Sequence, residues 1–184
     1  FNYGLRYWRW QGLLKRLGHS LTHERGIRYY LAGFALTTTP GKAGEAVRSL
    51  FLMRHQVSYV DSLAVFFSER LVDVVAMLCL AVAALYAFPA TRWSGWAILV
   101  LVAVLLAVIH RPAWQAGLRQ LAATLCGGRW QGPASRICEL LQQSAVLLTP
   151  GRLLSTTLIG VLAWGAEGLG FYLVARALGC EGAW

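Results

Sequence analysis

At 184 residues, 57% hydrophobic and only 14% charged, the chain lies outside the soluble norm of roughly 45–50% apolar and about 25% charged residues, which excludes a soluble globular domain. Its net charge of +9 does not signal nucleic acid, because the basic residues flank apolar runs instead of forming a stripe. That is the pattern of positive-inside topology and of affinity for anionic lipid headgroups. The four cysteines, Cys79, Cys126, Cys138 and Cys180, include no CxxC pair, so neither a disulfide framework nor a zinc site is expected, and no cofactor fingerprint is legible. The chain begins at Phe1 without a visible signal peptide and is expected to be part of a longer membrane protein.

Residues 5–17 mix Arg and Lys with Tyr and Trp and read as an interfacial anchor without chemistry, rings at headgroup level and cations on phosphate. His19, His23 and Glu24 follow in a polar loop. Histidines four apart can share a helix face, but no third ligand is evident and the order is not HExxH, so no metal site is expected. Ile27–Leu36 is a short apolar arm that runs into Thr37-Thr38-Thr39-Pro40-Gly41. The residue before a proline is pushed away from helical geometry, and Pro40 suits the first position of a new helix with Thr39 as its N-cap. A second arm then continues to Arg54. At 1.5 Å per residue each arm reaches about 15–20 Å, half of a roughly 30 Å hydrocarbon core.

A long helix is expected over about 59–88, closed by Pro89, and a returning one over about 93–110. The loop between them carries little charge, whereas Arg6–Arg28 and Arg111–Arg152 hold most of the basic residues, which assigns those two regions to the cytoplasm. Arg28 and Tyr59 then lie on one side, so residues 27–54 cross an even number of times or not at all. Arms this short predict a re-entrant hairpin with Pro40-Gly41 at its tip, a shape tolerated only where protein or water satisfies the broken backbone. Residues 112–148 read as a pair of cytoplasmic or surface-lying amphipathic helices broken at Gly127-Gly128, the second with Ile137, Leu140, Leu141, Ser144, Leu147 and Leu148 on one face. A last span is expected over 153–178. The architecture is therefore all-α: a polytopic helical membrane protein with a re-entrant helical hairpin and a cytoplasmic amphipathic helix pair, in a single domain.

Ionisable residues at membrane depth cost at least about 2.5–3.5 kcal/mol each and demand a partner or a function. Arg70 and Asp73 are three apart and can pair on one helix face, while Glu69 and Asp73, four apart, repel unless a cation lies between them. Either they form a self-neutralising structural pair or they present a cation to a cavity. Glu45 and Arg48 are again three apart on the second arm, whose N-terminus near Pro40–Ala43, with Lys42, offers unpaired N–H groups to an anion. It is not a Walker loop, since Leu36 and Ala43 replace its first Gly and its Ser or Thr. In the last span Trp164 and Glu167 adjoin Ala166 and Gly170, a small-xxx-small spacing that predicts a close helix contact.

Taken in order, Thr39-Pro40-Gly41-Lys42-Ala43-Gly44-Glu45 with Arg48, then Glu69-Arg70 with Asp73, then Trp164 and Glu167 before Ala-Leu-Gly resembles the lysylphosphatidylglycerol synthase transmembrane, or flippase-like, family. That family includes the flippase half of the bacterial multiple peptide resistance factor. The resemblance covers most of the chain and implies a multi-pass inner-membrane protein that moves a phospholipid or lipid-linked headgroup between leaflets. It implies Glu45, Arg48, Arg70, Asp73 and Glu167 as functional polar residues. The soluble aminoacyl-transferase domain has no counterpart here, so lipid aminoacylation is not expected of this chain.

The headgroup-binding candidates are therefore Thr39, Gly41, Lys42, Glu45, Arg48, Glu69, Arg70, Asp73, Trp164 and Glu167. The expected ligand is an anionic or aminoacylated phospholipid or a lipid-linked saccharide; the bilayer is the other partner, nucleic acid is not one, and a homo-oligomer remains open. Two other readings stand beside the transporter: a membrane transferase using Glu45 or Asp73 as a base on a lipid-linked substrate, and a non-transporting scaffold held to anionic lipid by its basic segments. A shared cavity requires the hairpin tip, Arg70, Asp73 and Glu167 to converge within about 10–12 Å, roughly a screening length.

Overall fold

The computed structural model describes the backbone of residues 1–35, 43–87, 92–111, 113–117, 120 and 131–179, with side chains for these apart from 34–35, 43–47, 82–87, 92, 131 and 133–134. Every regular element among them is helical: α1 (Asn2–Arg16), α2 (His23–Ala35), α3 (Ala43–Met53), α4 (Tyr59–Ala87), α5 (Arg92–His110), α6 (Gln131–Leu147) and α7 (Pro150–Ala177), with residues 113–117 also helical. Among the described residues, α7 and the Trp93–His110 part of α5 are long and apolar enough to cross a bilayer, and the protein is an all-α membrane protein.

Local chemistry fixes most of the helix ends. Past Leu17, Gly18 takes a left-handed φ of 84°, and the Gly18 and His19 amides donate to the Lys15 and Leu14 carbonyls at 3.2 and 3.1 Å. This is the paired closure of a Schellman motif, with Lys15 and Arg16 complementing the dipole. The end of α3 repeats it without a glycine: Gln56 sits at φ 60°, and the Gln56 and Val57 amides reach Met53 and Leu52 at 3.2 and 3.3 Å. Val57 and Leu52 are both buried there, the apolar contact that accompanies this cap. Ser58 opens α4 by accepting the Asp61 amide at 3.0 Å. Thr149 and Pro150 open α7 as the missing N–H of a first-turn proline allows. At the end of α5, His110 contacts the Leu148 carbonyl at 2.8 Å, which joins α5 to the end of α6, and Gln115 donates to Ile109 at 3.0 Å, so both bonds use carbonyls that helix geometry leaves orphaned.

Several elements depart from the sequence expectation. His23 and Glu24, expected in a loop, form the first turn of α2, where Glu24 also pairs with Arg28. The larger correction concerns α1, expected to be an interfacial anchor. It packs against α2, α4, α6 and α7, and Arg6, Arg9, Trp10, Gln11, Leu13 and Leu14 are buried. The i, i+3, i+4, i+7, i+8 spacing of Arg6, Arg9, Trp10, Leu13 and Leu14 makes them one stripe, in which the cations continue the apolar face that enters the core. In α6 the buried face consists of Cys138, Leu141, Ser144 and Leu147, against α4, α5 and α1, with Ile137 exposed instead of on that face. The Gly127-Gly128 break and the hairpin tip at Pro40-Gly41 lie outside the described residues.

The close helix contact of α7 also lies elsewhere than expected. Thr157, Gly160 and Ala163 are its buried positions, whereas a methyl placed at Gly168 or Gly170 meets nothing within 4 Å among the described residues. A methyl at Gly160 would lie 2.9 Å from Ala76 Cβ and 3.2 Å from Arg9 Nη1. The missing side chain at this one position lets α7 lie directly on α4 and leaves room for Arg9 between them.

Candidate functional site

The site is built on one face of α4. Ser62, Val65, Glu69, Val72 and Ala76 recur at three- and four-residue spacing and, with Ser68 and Asp73, are buried, so both carboxylates of Glu69 and Asp73 point into protein. Isolated carboxylates there would cost several kcal/mol in desolvation. Each has a guanidinium partner from another helix.

Asp73 is the hub. Arg9 of α1 donates through Nη2 to Asp73 Oδ1 at 2.6 Å, and Arg6, one turn earlier, donates through Nη2 to Oδ2 at 3.2 Å. Arg70 of α4 itself lies 3.3 Å from the same Oδ2. The Glu69 carboxylate instead accepts from Arg48 Nη2 of α3 at 3.2 Å. The anticipated repulsion between Glu69 and Asp73 is thus relieved by separate cations from different helices. Three of these four guanidiniums are nearly excluded from solvent, with side-chain exposures of 9%, 1% and 5% for Arg6, Arg9 and Arg48 against 31% for Arg70.

Aromatic faces hold the cations in place. Arg6 stacks over Trp164 of α7 at 4.6 Å, Arg48 over Trp10 at 5.3 Å and Tyr30 at 5.7 Å, and Arg70 over Phe66 at 5.6 Å. Each such contact contributes about 0.5–2 kcal/mol and suits the weakly hydrated guanidinium better than an ammonium. Tyr29 of α2 stacks on Phe51 of α3 at 5.4 Å and meets His55 at 3.0 Å, which ties α2 to α3, the helix that carries Arg48.

Among the described residues, four guanidiniums against two carboxylates give the cluster a net charge of +2. Donor capacity is in excess as well: Arg9 Nε and Nη1, Arg48 Nε, Arg70 Nε, Ser68 Oγ and Trp164 Nε1 are buried without a hydrogen-bond partner among the described residues. Buried donors are normally satisfied. A surplus of buried positive charge and unused donors at one place is the electrostatic complement of an anion.

Of the residues singled out from sequence, the structure brings Arg48, Glu69, Arg70, Asp73 and Trp164 into this cluster. Glu167 accepts from Asn2 Nδ2 at 2.5 Å, one turn of α1 before Arg6 and on the exposed side of α7, so it is linked to the cluster through α1 without being buried in it. Thr39, Gly41 and Lys42 lie outside the described residues, as does the side chain of Glu45. His19 and His23, weighed as a metal pair, have separate partners, Asp61 at 2.9 Å and Tyr7 at 3.4 Å. Arg6 and Arg9 were missed. Their composition matched an anchor, and only the continuity of their stripe with Trp10, Leu13 and Leu14 distinguished them.

No curated protein and no solved structure matches this chain. The model of the lysylphosphatidylglycerol synthase TM region matches residues 1–184, and the chain therefore belongs to that family.

Proposed function

We propose that this chain is a flippase-like, multi-pass membrane protein that translocates a phospholipid or lipid-linked headgroup between leaflets, with the Arg6–Arg9–Arg48–Arg70 cluster receiving the phosphate. The observation that carries this reading is the cluster's net charge of +2 among the described residues, with three of its four guanidiniums buried and several buried donors unpartnered there. Moving a headgroup through a roughly 30 Å apolar layer is opposed mainly by the loss of phosphate hydration. Guanidinium forks replace those lost hydrogen bonds with charge-assisted ones. Glu69 and Asp73 hold the arginines buried and partly neutralised while no anion is bound, and headgroup binding shifts the population between inward- and outward-facing arrangements.

In this reading α2 and α3 are the arms of a re-entrant hairpin, and the N-terminus of α3 is a positive helix end of the kind that receives anions. The basic segments then face the cytoplasm and the membrane is the inner one. The test is translocation of fluorescent phosphatidylglycerol in liposomes reconstituted with the protein. Wild type is expected to exceed protein-free liposomes, and Arg48→Gln and Arg70→Gln to lose most of that excess. Equal translocation by wild type and both variants, or no excess at all, overturns the proposal.

A further inference from the structure

The two buried carboxylates are not equivalent. Glu69 is matched by one guanidinium, Arg48 at 3.2 Å, whereas Asp73 is shared by three, at 2.6, 3.2 and 3.3 Å from two helices. A single carboxylate neutralises only one of them. Packing therefore holds Arg6, Arg9 and Arg70 around one acceptor against their own repulsion. Arg9, its shortest partner, still has Nε and Nη1 unused although it is only 3% exposed. A phosphate carries one or two charges and more acceptor oxygens in the geometry that guanidinium forks match, so it satisfies this set of donors better than the carboxylate does.

We propose that Asp73 is a resident counter-ion, standing among Arg6, Arg9 and Arg70 in the place of a phosphate anion that displaces it on binding. This rests on the reading of the cluster as the phosphate-receiving site. It adds a regulatory consequence: Asp73 lowers the site's affinity for anion, so that the cluster stays folded when empty and lets the anion go. Glu69 is a fixed structural partner of Arg48 and plays no such part. The same chemistry would accept a lipid headgroup or free inorganic phosphate.

The experiment uses the whole chain in detergent and reads thermal stability with and without inorganic phosphate, short-chain phosphatidylglycerol, or the matching phosphate-free diacylglycerol. Asp73→Asn is expected to melt below wild type without anion and to gain about 5–10 °C at an anion concentration near 100 times its dissociation constant. At the same concentration wild type gains markedly less. The double variant Arg6→Gln with Asp73→Asn carries the wild-type net cluster charge and guards against a fold lost to uncompensated charge. It too is expected to gain more than wild type, since the place of the anion is vacant.

If wild type responds to anion and Arg9→Gln abolishes the response, but neither Asp73 variant gains more than wild type, the counter-ion role is overturned while the phosphate site stands. Failure of both Asp73 variants to fold even in phosphate overturns it equally. If wild type, Asp73→Asn and the double variant all ignore both phosphate-bearing probes, the site reading itself fails. A gain with inorganic phosphate and none with phosphatidylglycerol keeps the counter-ion role and assigns the anion to free phosphate; a gain with the phosphate-free lipid overturns the role of phosphate.

Discussion

Replacing Gly160 by alanine tests the packing that places Arg9 beside Asp73. The new methyl would start 2.9 Å from Ala76 Cβ and 3.2 Å from Arg9 Nη1, closer than saturated carbons pack at about 3.5–4.0 Å. Ala76 cannot turn aside, because its Cβ is fixed to the backbone of α4, so α7 and α4 must separate by roughly 0.6–1 Å to reach that distance. Overpacking of this kind costs about 1–3 kcal/mol, and it opposes a helix-propensity gain of about 0.8–1.0 kcal/mol for Gly→Ala. Gly168→Ala on the same helix supplies the reference: nothing lies within 4 Å of a methyl there, so it should show the propensity gain alone. The two variants are therefore expected to differ by about 1–3 kcal/mol, or roughly 2–12 °C in melting temperature, with Gly160→Ala the less stable, measured by thermal denaturation in one detergent. Equal melting temperatures would mean that α7 does not lie on α4 at Gly160 and that Arg9 is not confined between them.

Arg9→Gln removes the 2.6 Å contact to Asp73; Arg6 and Arg70 still pair with that carboxylate, so no buried charge is left unpaired and the expected loss is that of one charge-assisted hydrogen bond, about 1.5–3 kcal/mol, readable in the same melts. Gln56→Gly relieves a left-handed residue in the cap of α3 and is expected to stabilise the protein by about 1 kcal/mol; an unchanged or lower melting temperature contradicts the cap.

How much was legible in the sequence varied with the range of the interaction that decides each feature. Helices governed by hydropathy and local punctuation were readable to within a few residues: those expected at 59–88 and 93–110 are Tyr59–Ala87 and Arg92–His110, the first opened by Ser58. Within α4, the i, i+3 spacing of Arg70 and Asp73 indicated an ion pair that the structure contains. The rest of the site is set by contacts remote in sequence. Arg9 and Asp73 are separated by 64 residues: within residues 5–17 the stripe that Arg6 and Arg9 share with Trp10, Leu13 and Leu14 marks a face that is buried, but nothing there names the partner. The same applies to α7, where Ala166 and Gly170 have the spacing of a helix contact but Gly160 makes it, because Ala76 and Val72 are the small and β-branched neighbours that α4 happens to present there. Arg48 finds Glu69 through the packing of α3 on α4, a contact for which spacing along the chain carries no information.

The proposed receipt of a phosphate by the arginine cluster is tested most directly by comparing, in the same proteoliposomes, the transbilayer rates of fluorescent phosphatidylglycerol and of a fluorescent glycolipid that carries no phosphate. The cluster predicts acceleration of the phosphate-bearing lipid alone, whereas equal acceleration of both lipids would show that the arginines around Asp73 do not select the cargo.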